Sequence, residues 1–253
     1  MRPGGAWGDF RVYDEQGVRR SLYLGKKDGD REATKAQSTI SACPLVTKPT
    51  DPATFRPNVL PLGQCHNYVQ IAGLREMYRR GMQVHVRGKG GKTISHPSVD
   101  KFIRQQLKRS FQSIESLAAE FQVVPPSAGG RGGGAVFLAT DDEHGCAVGM
   151  VAIRPYFNNG GEKAGVELRH MCVEANYRRC GVGTALLKRA VIFCRGKGYP
   201  SITLETLEPM AAARGLYARH GFEEVKRTVL GNGNRAFTLI MYRKDFGVVG
   251  GGG

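Results

Sequence analysis

The stretch Arg178-Arg179-Cys180-Gly181-Val182-Gly183-Thr184-Ala185 lies between an apolar strand-like run and an amphipathic segment. Two glycines one residue apart let the backbone turn tightly and approach a ligand with no Cβ in the way. A helix that starts here leaves its first N–H groups unpaired, and together they form a cradle for an anion. The chemistry this predicts is the holding of a phosphate-bearing ligand. Arg178 or Arg179 would add charge-assisted hydrogen bonds to it. Other candidate side chains stand nearby in sequence. Glu167 and His170 lie in the run Glu167-Leu168-Arg169-His170-Met171-Cys172-Val173, Glu205 in the β-rich run 201–206, and Tyr217 in a helix-patterned stretch.

These residues need elements to position them. Residues 55–62 read as a first strand, followed by a helix near 66–80. A second helix is predicted over 99–121, with Ser98 as its N-cap and Phe102, Ile103, Leu107, Phe111, Ile114 and Leu117 on its inner face. Residues 125–134 are too rich in Gly and Pro for regular structure, and strands follow at 135–140 and 146–154 across a polar connector. A second Gly-rich loop, 158–165, leads into strand 166–173. After the glycine loop, Val182, Leu186, Ala190 and Phe193 recur at helical spacing, and Gly196 and Gly198 end that helix. Strand 201–206 precedes a helix that Glu208-Pro209 opens and Gly221 closes, with Ala213, Leu216 and Tyr217 on one face. Strands 223–229 and 235–243 finish the pattern. Strands first, then helix–strand alternation, predict an α/β domain with a mixed sheet and helices on both faces.

The blocks 167–173, 178–185 and 213–222 resemble, in order and spacing, the GCN5-related N-acetyltransferase (GNAT) superfamily. Its pyrophosphate loop, Gln/Arg-x-x-Gly-x-Gly/Ala, is matched by Arg178, Gly181 and Gly183, and its Leu-Tyr-x-x-x-Gly-Phe block by Leu216 to Phe222. The run 167–173 with Leu204-Glu205-Thr206 is loosely similar to the camello-like group. The resemblance implies the GNAT fold: a mostly antiparallel mixed sheet of about seven strands. It implies acetyl-CoA as co-substrate, held at Met171, Cys172 and Val173 on the strand and at Arg178, Arg179, Cys180, Gly181, Val182, Gly183 and Thr184 in the loop. It also implies Tyr217 as the acid that protonates the departing thiolate and Glu167 as the base that deprotonates the amine. His170 falls on the opposite strand face from Glu167 by period two and is expected to be a buried, satisfied histidine. A covalent acetyl-cysteine at Cys172 or Cys180 is not expected, since no His or Asp is poised to activate either. The implied reaction is direct transfer of an acetyl group to a primary amine of a small molecule or amino acid. A lysine or N-terminus of a protein is the second acceptor class, and a non-catalytic acetyl-CoA or nucleic-acid binder is the alternative of another kind.

Composition bounds the rest. With 253 residues the chain holds one ordinary domain, expected over 54–247. It is preceded by a basic, mostly unstructured extension 1–53 with a hairpin at 10–24, and followed by a Gly tail 248–253. No apolar run is long enough to span a bilayer. Six cysteines without a C-x-x-C pair argue against a zinc site or disulfide framework, and the expected setting is the reducing cytoplasm, with no metal. The net charge of +15 is spread along the chain, which suits an anionic ligand and also admits nucleic acid. Arg75, Arg79, Arg80, Arg87, Lys89 and Lys92 form a basic run without an RNA-binding signature, so nucleic acid is not favoured. Gly91-Lys92-Thr93 is no nucleotide P-loop: Val86 stands where that motif needs glycine, and Pro97 follows too soon.

Overall fold

A computed structural model describes residues 10–13, 19–22, 49, 51–65, 71–82, 85–87, 93–95, 97–121, 123, 133–159, 161–231 and 236–247. The chain divides into two units, Met1–Leu45 and Val46–Gly253. In the first, β1 (Phe10–Tyr13) pairs antiparallel with β2 (Arg19–Leu22). The tail 248–253 and residues 232–235 lie outside the described residues, as does most of the expected extension.

The second unit runs β3 (Asn58–Pro61), α1 (Ile71–Gly81), β4 (His85–Arg87), β5 (Thr93–Ser95), α2 (Pro97–Ser110), α3 (Ile114–Glu120), β6 (Ala135–Asp141), β7 (Cys146–Phe157), β8 (Lys163–Val173), α4 (Val182–Gly196), β9 (Ser201–Leu207), α5 (Ala211–Arg219), β10 (Glu223–Leu230) and β11 (Phe237–Asp245). Seven strands form one sheet in the order β10-β11-β9-β8-β7-β6-β3. Every neighbouring pair is antiparallel except β8 and β9, which α4 joins as the crossover a parallel pair requires. The expected mixed, mostly antiparallel seven-stranded sheet is the one observed.

Strand alternation sends side chains to two cores. Phe137, Val151, Ile153, Leu168, Ile202, Leu204 and Ile240 pack with Leu186, Leu187 and Ala190 of α4 and Tyr217 of α5. Leu138, Met150, Ala152, Cys172 and Leu207 pack on the other face with Leu74, Met77 and Tyr78 of α1, Ile103 and Leu107 of α2, and Leu117 of α3. The helices thus cover both faces, as expected.

Several element boundaries differ from expectation. The single helix predicted over 99–121 is two, because Ser113 turns extended (φ −151°, ψ 171°) and its Oγ accepts from Ser116 N to cap α3. Serine's preference for capping overrides the apolar spacing there. α2 opens at Pro97, ahead of the expected cap Ser98, since proline's fixed φ suits a first turn. The strand predicted at 55–62 is cut to Asn58–Pro61 by a 3-10 turn at Leu62–Gln64. Between the two predicted helices the short antiparallel β4–β5 pair forms, which the sequence pattern did not predict. α5 begins at Ala211, after Met210 N bonds Leu207 O in a turn that holds Glu208 and Pro209 outside the helix.

The register of β7 against β8 shifts by one residue between Met150–Cys172 and Ala152–Arg169. The extra residue is absorbed around His170, whose φ is +51°. Arg169 and His170 therefore turn toward the same face, and Met171, Cys172 and Val173 resume the alternation.

Candidate functional site

The glycine loop is built as a helix start. Arg179 (φ +68°) and Gly181 (φ +81°) take left-handed conformations, and Gly181 occupies the N-cap of α4 without any side-chain cap. Ala185 N is the first amide to return to the turn, to Gly181 O at 2.9 Å. The amides of Val182, Gly183 and Thr184 precede that bond and belong to the orphan donors of a helix N-terminus. A Cβ on Gly183 would stand 3.3 Å from Leu216 Cδ2 and 3.8 Å from Met171 Cε and Val173 Cγ2, so glycine keeps the space between α4, β8 and α5 open. Arg178 is occupied structurally: Nε donates to Val173 O at 3.3 Å and Nη2 to Gly81 O at 3.1 Å, tying the end of β8 to the end of α1.

A second feature is the gap in the sheet. β8 pairs with β9 only at Val166–Ile202, Glu167–Thr203 and Leu168–Leu204. β9 remains paired to β11 through Leu207, whereas β8 continues to Val173 beside β7. From the bulge onward the two parallel strands separate, leaving Met171 to Val173 without a strand partner on the β9 side among the described residues. The gap opens into a cavity of about 800 Å³, which reaches from the first turn of α4 to the start of α5.

Glu167, Met171, Cys172, Val173, Arg178, Arg179, Gly181, Gly183, Thr184 and Tyr217 all line this cavity. Val182 is buried in the core below the loop, and the Cys180 Sγ turns to Arg178 O at 3.6 Å. Cys172 points into the α1 side, where burial pushes its thiol up to about 12, as befits an inert packed cysteine. Tyr217 is buried, and its hydroxyl has Met171 Sδ, at 3.7 Å, as its partner. A thioether is a weak acceptor, so the donor retains most of its capacity. Burial holds this phenol well above its usual range.

On the α1–α3 side, Glu167 Oε2 lies 2.5 Å from Arg154 Nη2, and Oε1 lies 3.6 Å from Arg169 Nε. Arg169 also reaches Glu120 Oε1 at 3.6 Å. His170 is buried with its Nε2 2.9 Å from Ser110 Oγ, edge-on to Tyr78 and Phe121. Burial, then the charges of Arg169 and Arg154, lower its pKa to about 3. The period-two placement of His170 opposite Glu167 is therefore corrected, because the bulge returns it to the Glu167 face. Its expected state, buried and satisfied, is the one found.

Other contributors carried no motif. Tyr78 of α1 and Pro209, Met210 and Ala213 around the start of α5 also line the cavity. Tyr177, also buried, donates to Asp141 Oδ2 at 2.5 Å, and that carboxylate accepts from Glu143 N and His144 N and lies 2.8 Å from His144 Nδ1. This staple joins the β6–β7 turn to the segment just before the glycine loop. Asp141, Glu143 and His144 bring ligand atoms within 4.8 Å of one another, yet the Asp141 oxygens are committed to the staple. In the basic run, Arg79 and Arg80 pair with Glu76, and Arg80 also with Glu174. The side chains of Arg87, Lys89 and Lys92 lie outside the described residues.

A sheet split between two parallel strands beside a glycine-built helix start defines the GNAT fold. Residues 102–222 match the model of the acetyltransferase (GNAT) family. An uncharacterized N-acetyltransferase of Schizosaccharomyces pombe is 32% identical over 115 residues, covering 45% of this chain and 64% of the relative. The probable N-acetyltransferase camello of Xenopus tropicalis is 30% identical over 102 residues, 39% of this chain and 45% of the relative. The chain thus spans less than two thirds of the length of these curated relatives. A probable acetyltransferase from Staphylococcus epidermidis shares the fold at a TM-score of 0.50 and 15% identity, covering 75% of this chain and 99% of its own. Over residues 102–222 the chain is similar to the GNAT superfamily, and more loosely to its camello-like group. Among the described residues, no helix is long and apolar enough to cross a membrane.

Proposed function

We propose that the chain is an acetyl-CoA-dependent N-acetyltransferase that moves an acetyl group directly to a primary amine of a small molecule or amino acid. The observation that carries this reading is the gap between β8 and β9, with an anion cradle beside it, a buried hydroxyl on one face and carboxylates on the other. Acetyl-CoA supplies an activated acetyl thioester. The residues fit it: the amides of Val182 to Thr184 and the Arg179 guanidinium would hold its pyrophosphate, and the unpaired edge at Met171 to Val173 its pantetheine arm. Tyr217, on the α5 face, would donate from Oη to the departing sulfur. An amine entering from the α1–α3 face must shed a proton, since free alkyl amines have pKa values of about 10. Glu167 and Glu205 are the carboxylates that line the cavity there. The free thiols of Cys65, Cys146, Cys172, Cys180 and Cys194 support a reducing setting such as the cytoplasm.

Thermal melting with saturating acetyl-CoA, and with ATP as an anionic control, tests the cofactor assignment. A hundredfold excess over Kd stabilises by about 2.7 kcal/mol, a rise of several degrees for a domain of this size. A rise with acetyl-CoA and none with ATP supports the assignment, and no rise with either refutes it. A panel of free amines, amino acids and peptides then tests the acceptor: preference for peptides would replace the small-amine reading with a protein acceptor.

A further inference from the structure

Among the described residues two carboxylates line the cavity, and the chain treats them differently. Glu167 is held by Arg154 and Arg169. Glu205 is paired through its backbone to β11, but its carboxylate takes part in no hydrogen bond or ion pair among the described residues. Its neighbours Leu204 and Thr206 are buried, whereas Glu205 is open to the gap, at the point where β9 has just parted from β8. Strand alternation puts it on the Glu167 face, opposite the core that contains Tyr217. A group with unused lone pairs at the mouth of a reaction cavity is free to accept a proton. A group whose oxygens already face two guanidiniums is less so.

Resting on the acetyltransferase reading of this site, we infer that Glu205 is the group that takes the proton from the incoming amine, with Glu167 as a positioning residue. The charged groups acting on Glu205 are Glu167 and Arg169 of β8 and Lys226 of β10. Desolvation, then the charge of Glu167, raises its pKa, and Arg169 and Lys226 oppose the shift. A raised carboxylate lies nearer neutrality, where a general base works best. Glu167 serves by keeping Arg154 and Arg169 engaged and a negative charge beside Glu205.

The proton count closes. An ammonium gives one N–H proton to Glu205, and the neutral nitrogen forms the C–N bond as the C–S bond breaks. The nitrogen's second proton replaces the one that Tyr217 gives to sulfur. The products are the amide, the thiol and one proton, which Glu205 passes to solvent.

Two readouts test this on the full chain. In ligand-free protein carrying ¹³C-carboxyl glutamate, the resonance lost in Glu205→Gln should titrate above the usual range of exposed glutamates. It should fall toward them in Glu167→Gln. In turnover, Glu205→Gln should lose about a hundredfold or more in kcat, the usual contribution of a general base, with the wild-type melting rise on acetyl-CoA. Glu167→Gln should lose less in kcat than Glu205→Gln, with its acid limb of kcat/KM moved to lower pH. An active wild type beside an equally active Glu205→Gln, or a Glu205 resonance that titrates like its exposed counterparts, overturns the assignment and leaves the acetyltransferase reading standing. A wild type without turnover on any amine removes that reading and this assignment with it.

Discussion

Gly183→Ala separates the stability of the glycine loop from its ligand chemistry. Gly183 is the second residue of α4, where alanine is favoured over glycine by up to about 1 kcal/mol. The added Cβ meets Leu216 Cδ2 at 3.3 Å, a tight contact with the far end of a flexible side chain that can shift a few tenths of an ångström. The folded protein should therefore melt at the wild-type temperature or up to about 4 °C above it. The same Cβ would stand 3.8 Å from both Met171 Cε and Val173 Cγ2, across the passage between α4 and β8. If the first-turn amides hold the pyrophosphate, losing one of these charge-assisted bonds costs about 1.5–3 kcal/mol. That is about a tenfold to hundredfold weaker Kd for CoA by calorimetry. Gly181→Ala is the counterpart: nothing lies within 4 Å of its Cβ, but φ is +81°, so it should lose about 1–2 kcal/mol of stability through backbone strain. A Gly183→Ala protein that binds CoA as tightly as wild type would refute the amide-cradle argument.

Three further outcomes follow from the same geometry. Tyr217→Phe removes a hydroxyl whose partner is Met171 Sδ, so melting should change little while kcat falls about tenfold or more, the low end of general acid catalysis; unchanged turnover would make Tyr217 a packing residue. Tyr177→Phe takes a donor from the buried Asp141 carboxylate and should cost about 1–3 kcal/mol in a denaturant titration, a loss that a merely solvated pair would not show. His170 stays neutral in the folded protein down to about pH 3, while the unfolded chain protonates it near 6.5. Its contribution is thus complete above pH 6.5 and declines as pH falls toward 3, by about 1.4 kcal/mol per pH unit. His170→Gln should flatten that part of the stability profile, and an unaltered acid slope would count against a buried neutral imidazole.

Local signals were legible where one residue type answers one backbone need. Gly181 marks a left-handed turn into the helix and Gly183 a position where a Cβ would crowd Leu216, and apolar spacing in 182–193 locates the helix that follows. The polar connector 141–145 separates the strands predicted at 135–140 and 146–154, and both strands formed. The helix expected over 99–121 failed for an equally local reason: the apolar stripe continues through Phe111, but Ser113 satisfies an amide better as a cap.

The sequence by itself determined the glycine helix start, the order of strands and helices and the inward face of Tyr217, because each depends on neighbours within a few residues. Only the tertiary structure decided how these meet. The bulge at His170 reversed its face, since a strand's side-chain direction depends on its register with a partner far along the chain. The gap between β8 and β9 exists because β9 stays with β11 while β8 stays with β7, and no run of residues encodes that divergence. Whether a carboxylate is occupied or open was decided in the same way. Arg154, thirteen residues from Glu167 in sequence, lies against it across the β7–β8 ladder, whereas Glu205 faces the opening that the ladder leaves.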